Sequence, residues 1–281
     1  MHRLKRSSTL LIVVSLLCYP LISAGTQSIK IPAKGKSPTI DHIESSGVLD
    51  AGATILAPWL LQNPKTGQYI GPAAIVAQAT AKALHVRLHY VDATWDTIVA
   101  GLVSHKYQIA DAALFETKQR KNVIGFVTYD HSGTCYVVRP ASPIHTLSDL
   151  NHSKYVYLGY TGYATGTLFH EKYPKTRIKR INPPPGSGPR IPALLNGRGD
   201  IAPIDSPLVF WVHQKWPNVR IIPATKRCFK HPDLVRPIGI GYPKDDPVFG
   251  HFLKQVIQAK EKKIQAAKLR FSQPKWLNQH K

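Results

Sequence analysis

Short apolar runs of two different periods alternate along this chain, and that alternation limits the fold more than any other feature. An apolar run at 48–56 stops before Pro58, and residues 73–84, AAIVAQATAKAL, collect helix formers. Residues 86–91, VRLHYV, alternate as a half-buried strand does. A short helix is expected at 97–103, a strand at 109–114, a turn or helix start at 118–122 and a strand at 133–138 that leaves this unit. A second unit repeats the scheme, with helices at 147–150, 165–172, 191–196 and 207–215 and strands at 155–160, 177–181, 201–204 and 219–223. Pro183-Pro184-Pro185-Gly186-Ser187-Gly188 marks a loop inside it. A strand at 235–242 and a long amphipathic helix at 247–269 close the chain. Strands separated by helices build parallel sheets with both faces covered, so two successive units predict an α/β protein of two lobes. Open sheets of this kind bind ligands outside the carboxyl ends of their strands, and a site between two lobes can close on a solute from both sides.

The first segment predicts export. Arg3, Lys5 and Arg6 precede the apolar run 10–17, LLIVVSLL, which is too short to span a bilayer as a mature helix. Pro20 and then Ser23-Ala24-Gly25 follow, the order of a secretory signal with its cleavage site. Residues 1–25 are therefore read as a signal peptide and 26–41, rich in Lys, Pro, Ser and Gly, as a flexible leader. No later run is long and apolar enough to cross a membrane.

The formal charge of +21 falls only to +18 when Arg3, Lys5 and Arg6 are removed. Such a charge raises nucleic acid as a partner. The basic residues are spread through the chain, however, without zinc-finger spacing or an aromatic RNA-binding signature, so a basic exported protein without a nucleic-acid partner is the preferred reading. An anionic ligand or an anionic membrane surface would account for the charge. Downstream of the signal two cysteines remain, Cys135 and Cys228, which in an oxidising compartment either form one disulfide or stay as two buried thiols. The chain has no His-Glu-x-x-His, no Gly-x-Ser-x-Gly and no phosphate loop, and no cofactor is expected.

Four stretches carry a family resemblance. They are Ala57-Pro58-Trp59 with Gly67 and Gly71, Trp95-Asp96-Thr97-Ile98 running to Lys106-Tyr107-Gln108-Ile109, residues 114–120 (LFETKQR), and residues 193–200 (ALLNGRGD) running on to Asp205-Ser206-Pro207. In that order they resemble the amino-acid type of extracellular solute-binding protein that serves ABC importers, family three. The resemblance spans about Ile43 to Trp276. It implies a two-lobed clamshell of type II, with lobe 1 at 42–137 plus 237–281 and lobe 2 at 138–236. It also implies a periplasmic, monomeric protein that performs no chemistry, takes a small amino-acid-like solute bearing a carboxylate, and delivers it to a permease in the inner membrane.

The matched positions have the chemistry a zwitterion needs. Arg120 carries a planar fork that pairs with a carboxylate through two parallel hydrogen bonds. Thr117, three residues earlier, can turn its N–H and hydroxyl to the same oxygens. Thr165 and Gly166 are expected to open a helix and point N–H groups at an anion, and Asp205 offers an acceptor for an ammonium. Trp59, Trp95 and Phe115 complete the expected ligand-binding set. Locally, Asp205 also reads as the cap of the helix at Pro207, and Thr165 as an ordinary N-cap.

Several positions depart from the family pattern. Gln108 replaces an Asp, Ala112, Ala113 and Phe115 replace serines, and Ala53, Leu56 and Ala73 replace an acidic residue, a tyrosine and an Asp. The first-lobe wall becomes apolar, which argues against lysine or arginine as ligand. Two other functions fit the same scaffold. One is a cyclohexadienyl or arogenate dehydratase, for which Glu116 and Asp111 are the first-lobe acids. The other is an accessory protein of an exported redox enzyme, with a cleft that takes no ligand.

Overall fold

The computed structural model describes residues 29–181 and 190–279, so the signal read at 1–25 and the loop read at 183–188 lie outside the described residues. The expected leader ends early. Ser37 accepts from the Ile40 N–H and Pro38 takes the first helical position, so Pro38–Ser46 forms helix α1. Asp246 fixes this helix by accepting from the Ser37 hydroxyl at 2.6 Å and the Thr39 N–H at 2.9 Å. The Lys/Pro/Ser composition that suggested a coil is here a capping sequence.

The first unit then runs β1 (Val48–Ala53), β2 (Leu61–Gln62), β3 (Tyr69–Ile70), α2 (Pro72–Ala83), β4 (Arg87–Asp92), α3 (Ile98–Val103), β5 (Ile109–Phe115) and α4 (Lys118–Lys121). Strand β6 (Ile124–Val138) leaves it. The second unit holds β7 (Val156–Tyr160), α5 (Ala164–Lys172), β8 (Arg177–Ile181), α6 (Ile191–Leu195), β9 (Ala202–Asp205), α7 (Val209–Lys215), β10 (Arg220–Ile222) and α8 (Thr225–Lys230). Strand β11 (Asp233–Pro243) returns, and α9 (Pro247–Phe271) and α10 (Pro274–Gln279) end the described chain.

The sheet order β4-β1-β5-β11-β6 organises the first unit. Strand β1 is parallel to β4 and β5, while β11 is antiparallel to β5 and β6. Every residue of β5 is buried, as a strand covered on both faces requires. On one face α2 and α9 bring Ala73, Val76, Phe249, Phe252 and Val256 into a core with Trp59 and Phe115. On the other, α3 lays Ile98 and Leu102 against Tyr107, Ala110 and Ala112.

Strand β6 joins the lobes. Its first part, from Ile124 to Thr134, pairs with β11, and its last part pairs with β9 (Thr134 opposite Asp205) and β10 (Val138 opposite Arg220). Only 133–138 was expected as strand. In the second unit β7 is parallel to β8, and Tyr157 bridges to Ile201 beside β9. Cys135 and Cys228 are joined as a disulfide, which ties β6 to α8 beneath a core of Ile191, Leu194, Val209 and Val212.

Candidate functional site

The lobes meet over the segment Gly162-Tyr163, between β7 and α5. Arg120 approaches from the first lobe. Thr117 caps α4 by accepting from the Arg120 N–H at 3.2 Å, which aims the guanidinium inward. The Arg120 fork then donates to the Phe115 carbonyl and, across the cleft, to the Gly162 carbonyl, each at 3.1 Å. Burial lowers its pKa to about 10, and nearby Tyr163 opposes the fall.

Asp205 approaches from the second lobe, at the carboxyl end of β9. It makes no capping bond to the helical turn that follows it, so the local reading as a cap does not describe it. Its carboxylate accepts instead from the Trp59 indole N–H at 3.3 Å and the Tyr163 hydroxyl at 3.2 Å. Burial raises its pKa to about 6, opposed by those two bonds and by the charge of Arg190. Trp59 is fully buried, and its contact with Asp205 is a second bond between the lobes.

A third contact is steric. Half-buried Trp95 meets Tyr163 edge-on at 4.8 Å between ring centroids. Gly162 has φ +74°, and a Cβ there would stand 2.4 Å from the Trp95 carbonyl carbon and oxygen. Both the left-handed backbone and the close approach of two main chains demand glycine.

Thus Arg120, Trp95 and Asp205 meet on one segment, with the Phe115 carbonyl bonded to Arg120 and Trp59 to Asp205. Other expected residues do not converge on it as foreseen. Thr117 spends its N–H on the Phe115 carbonyl and its hydroxyl oxygen on the Arg120 N–H. Helix α5 opens one residue before Thr165, with Tyr163 at the cap. The Gly166 N–H bonds the Tyr163 carbonyl, and Gly166 lines an outer groove with Thr167 and His170. Thr165 is buried with an unpartnered hydroxyl. Of the two first-lobe acids, Glu116 pairs with Lys121 at 3.1 Å and accepts from Thr128. Asp111 is fully buried and neither oxygen has a well-formed hydrogen bond among the described residues. Burial raises its pKa to about 7, and nearby Tyr90 opposes the rise.

Sequence reasoning missed Gly162, Tyr163 and Arg190. Tyr163 takes a cap position with a side chain that carries no capping signature. Arg190 is 6 % exposed and lies over the Tyr160 ring, 3.4 Å from its centroid and 5.2 Å from that of Tyr163. Only the glycine between Thr161 and Tyr163 hinted at a turn here. Among the described residues, no cluster of three or more His, Cys, Asp or Glu side chains is placed to hold a metal ion. No helix among them is long and apolar enough to cross a membrane.

The comparisons agree with this fold. In solved structures, the chain is similar to the ancestral amino acid-binding protein AncCDT-1, a precursor of cyclohexadienyl dehydratase. The TM-score is 0.70 at 23 % identity, over 84 % of this chain and all of that one. It is similar to the arginine-bound form of a truncated ArgBP from T. maritima, with TM-score 0.65 at 25 % identity over 78 % of this chain and 98 % of that one. It is also similar to a solute receptor for L-cysteine of Neisseria gonorrhoeae, with TM-score 0.70 at 18 % identity over 86 % of this chain and 96 % of that one. The pattern of bacterial extracellular solute-binding proteins, family 3, matches residues 53–279. That match covers most of the chain and leads to one assignment: the chain belongs to the bacterial extracellular solute-binding proteins, family 3.

Proposed function

We propose that this protein is exported to the periplasm, encloses a small amino-acid-like solute bearing a carboxylate between its lobes, and presents the closed form to an ABC permease as a monomer. It performs no chemistry and takes no nucleic acid. The observation that carries the reading is the pair Arg120 and Asp205, one buried on each lobe and both bonded to the segment between them. In the bound state a solute carboxylate takes the place of the Gly162 carbonyl on Arg120, and a solute ammonium takes the place of the Tyr163 hydroxyl on Asp205. Trp59, Trp95, Phe115 and Thr165 form the surrounding wall, and Thr117 supports it by capping the turn that carries Arg120. The lobes are 42–137 plus 237–281 and 138–236. The hinge sits where β6 and β11 part, at Thr134 and Asp233, just before the first of these boundaries.

The test is a thermal-shift screen of amino acids and small carboxylates. At least one should stabilise the wild type, and Arg120→Ala should abolish that shift; an unchanged shift would remove Arg120 from the site. One observation favours a second reading, an accessory protein without a solute: Arg120 and Asp205 are both satisfied by the chain's own Gly162 and Tyr163. Co-purification with an exported dehydrogenase, and no stabilisation by any solute, would favour it.

A further inference from the structure

The charged groups at the joint do not balance, and the imbalance sits on Arg190. Its side chain is 6 % exposed, yet Nε and Nη2 have no hydrogen-bond partner among the described residues. Leaving a guanidinium buried and unpaired is costly. Asp205 is the carboxylate that acts on it, but that carboxylate is committed to Trp59 through Oδ2 and Tyr163 through Oδ1. Stacking on Tyr160 covers the face of the guanidinium and leaves its edge donors unmet.

Two more buried hydroxyls of the same lobe, those of Tyr157 and Thr165, have no partner among the described residues beyond their interaction with each other. Burial pushes the Tyr157 phenol up to about 12, while the adjacent Arg190 charge and Thr165 hydroxyl pull it down, so the three share one environment. A guanidinium edge and two hydroxyls, all buried, form a donor set for an oxygen anion.

From this placement we infer that lobe 2 carries a second anion-binding subsite, made of Arg190, Tyr157 and Thr165, and that the solute has a second carboxylate which seats there. The inference rests on the solute-binding reading above and narrows it to an acidic solute. The charges then close. Arg120 and Arg190 supply two positive groups and Asp205 one negative, and an acidic amino acid brings two carboxylates and one ammonium. The departures of the first lobe from basic-amino-acid binders, and the surplus of positive charge on the chain, point the same way.

The experiment is calorimetric titration of the wild type at neutral pH with L-glutamate and L-aspartate against their near-isosteric amides, L-glutamine and L-asparagine. The acids should bind about 10- to 100-fold tighter than the amides, the size expected for charge-assisted hydrogen bonds to a buried group. Arg190→Gln should bring the acid-to-amide ratio close to one. Thr165→Val, nearly the same shape, should reduce the ratio several-fold and serves if Arg190→Gln fails to fold. Amides that bind as tightly as the acids, or a ratio that survives both variants, would overturn the subsite while leaving the solute-binding reading intact. If no amino acid or small carboxylate binds the wild type, both fall together.

Discussion

Asp111 gives the sharpest test of how this interior handles charge. It lies on β5, opposite Ala53 of β1, with neither carboxylate oxygen in a well-formed hydrogen bond among the described residues, although the Tyr90 hydroxyl is close enough to oppose the effect of burial. The hydroxyls of Tyr90 and Tyr129 feel its charge and are themselves unpartnered. Burial raises the Asp111 pKa from 3.8 to about 7. A rise of that size is worth about 4 kcal/mol when the group is forced to ionise. In acid, both the folded and the unfolded carboxyl are protonated and the penalty is absent. As pH climbs past the unfolded value, the unfolded chain releases its proton first and stability falls with pH. The fall ends once pH passes the folded value, about 7. Asp111→Asn keeps the shape and removes the titration. Its stability relative to the wild type, from urea unfolding at a series of pH values, should therefore increase by about 4 kcal/mol from pH ~4 to ~8. For a chain of this size that corresponds to a gain of roughly 10 °C in Tm relative to the wild type over the same range. Asp205 shifts in the same direction, to about 6, but is present in both proteins and cancels in the difference. A difference that stays flat with pH would refute the reasoning.

Two further perturbations probe the joint and its frame. Gly162→Ala puts a Cβ against the Trp95 main chain in a left-handed conformation, so it should hold the lobes apart at a cost of about 1–3 kcal/mol to the closed form. Small-angle scattering should show a larger radius of gyration and titration a weaker solute; unchanged values for both would show that Gly162 does not set closure. The Cys135–Cys228 bond closes a sequence separation of 93 residues, so its reduction should cost the mature protein about 4–5 kcal/mol on the chain-entropy account. Thiol titration of denatured, unreduced protein should find none free, and two titratable thiols would refute the bridge.

The elements with a clear hydrophobic period were legible in the sequence. Helix α2, strands β4 and β5 and helix α9 fall within a few residues of where 73–84, 86–91, 109–114 and 247–269 placed them. The first half of β6 was not legible. Thr128, Asp130, His131 and Ser132 carry no alternation, because that stretch is held by pairing with β11 across a bulged register and not by one buried face. Arg190 was hidden for a different reason. It follows a proline-rich loop, and nothing local distinguishes it from a surface arginine; its burial is a product of tertiary packing against Tyr160.

Arg120 and Asp205 were legible as positions but not as a joint. Their partners lie 42 residues away in sequence, in a segment with no binding signature. This alters the energetics expected of any solute in the proposed site, because closure already satisfies both groups. A solute must displace a backbone carbonyl from Arg120 and a phenol from Asp205, so its net gain is the difference between the bonds it makes and those it breaks. Exchanging a neutral acceptor for a carboxylate on a guanidinium roughly doubles the strength of that bond. A neutral solute gains almost nothing by the same exchange. A site closed on its own chain in this way discriminates by charge before it discriminates by shape, and the unmet donors of Arg190 would extend that preference from one carboxylate to two.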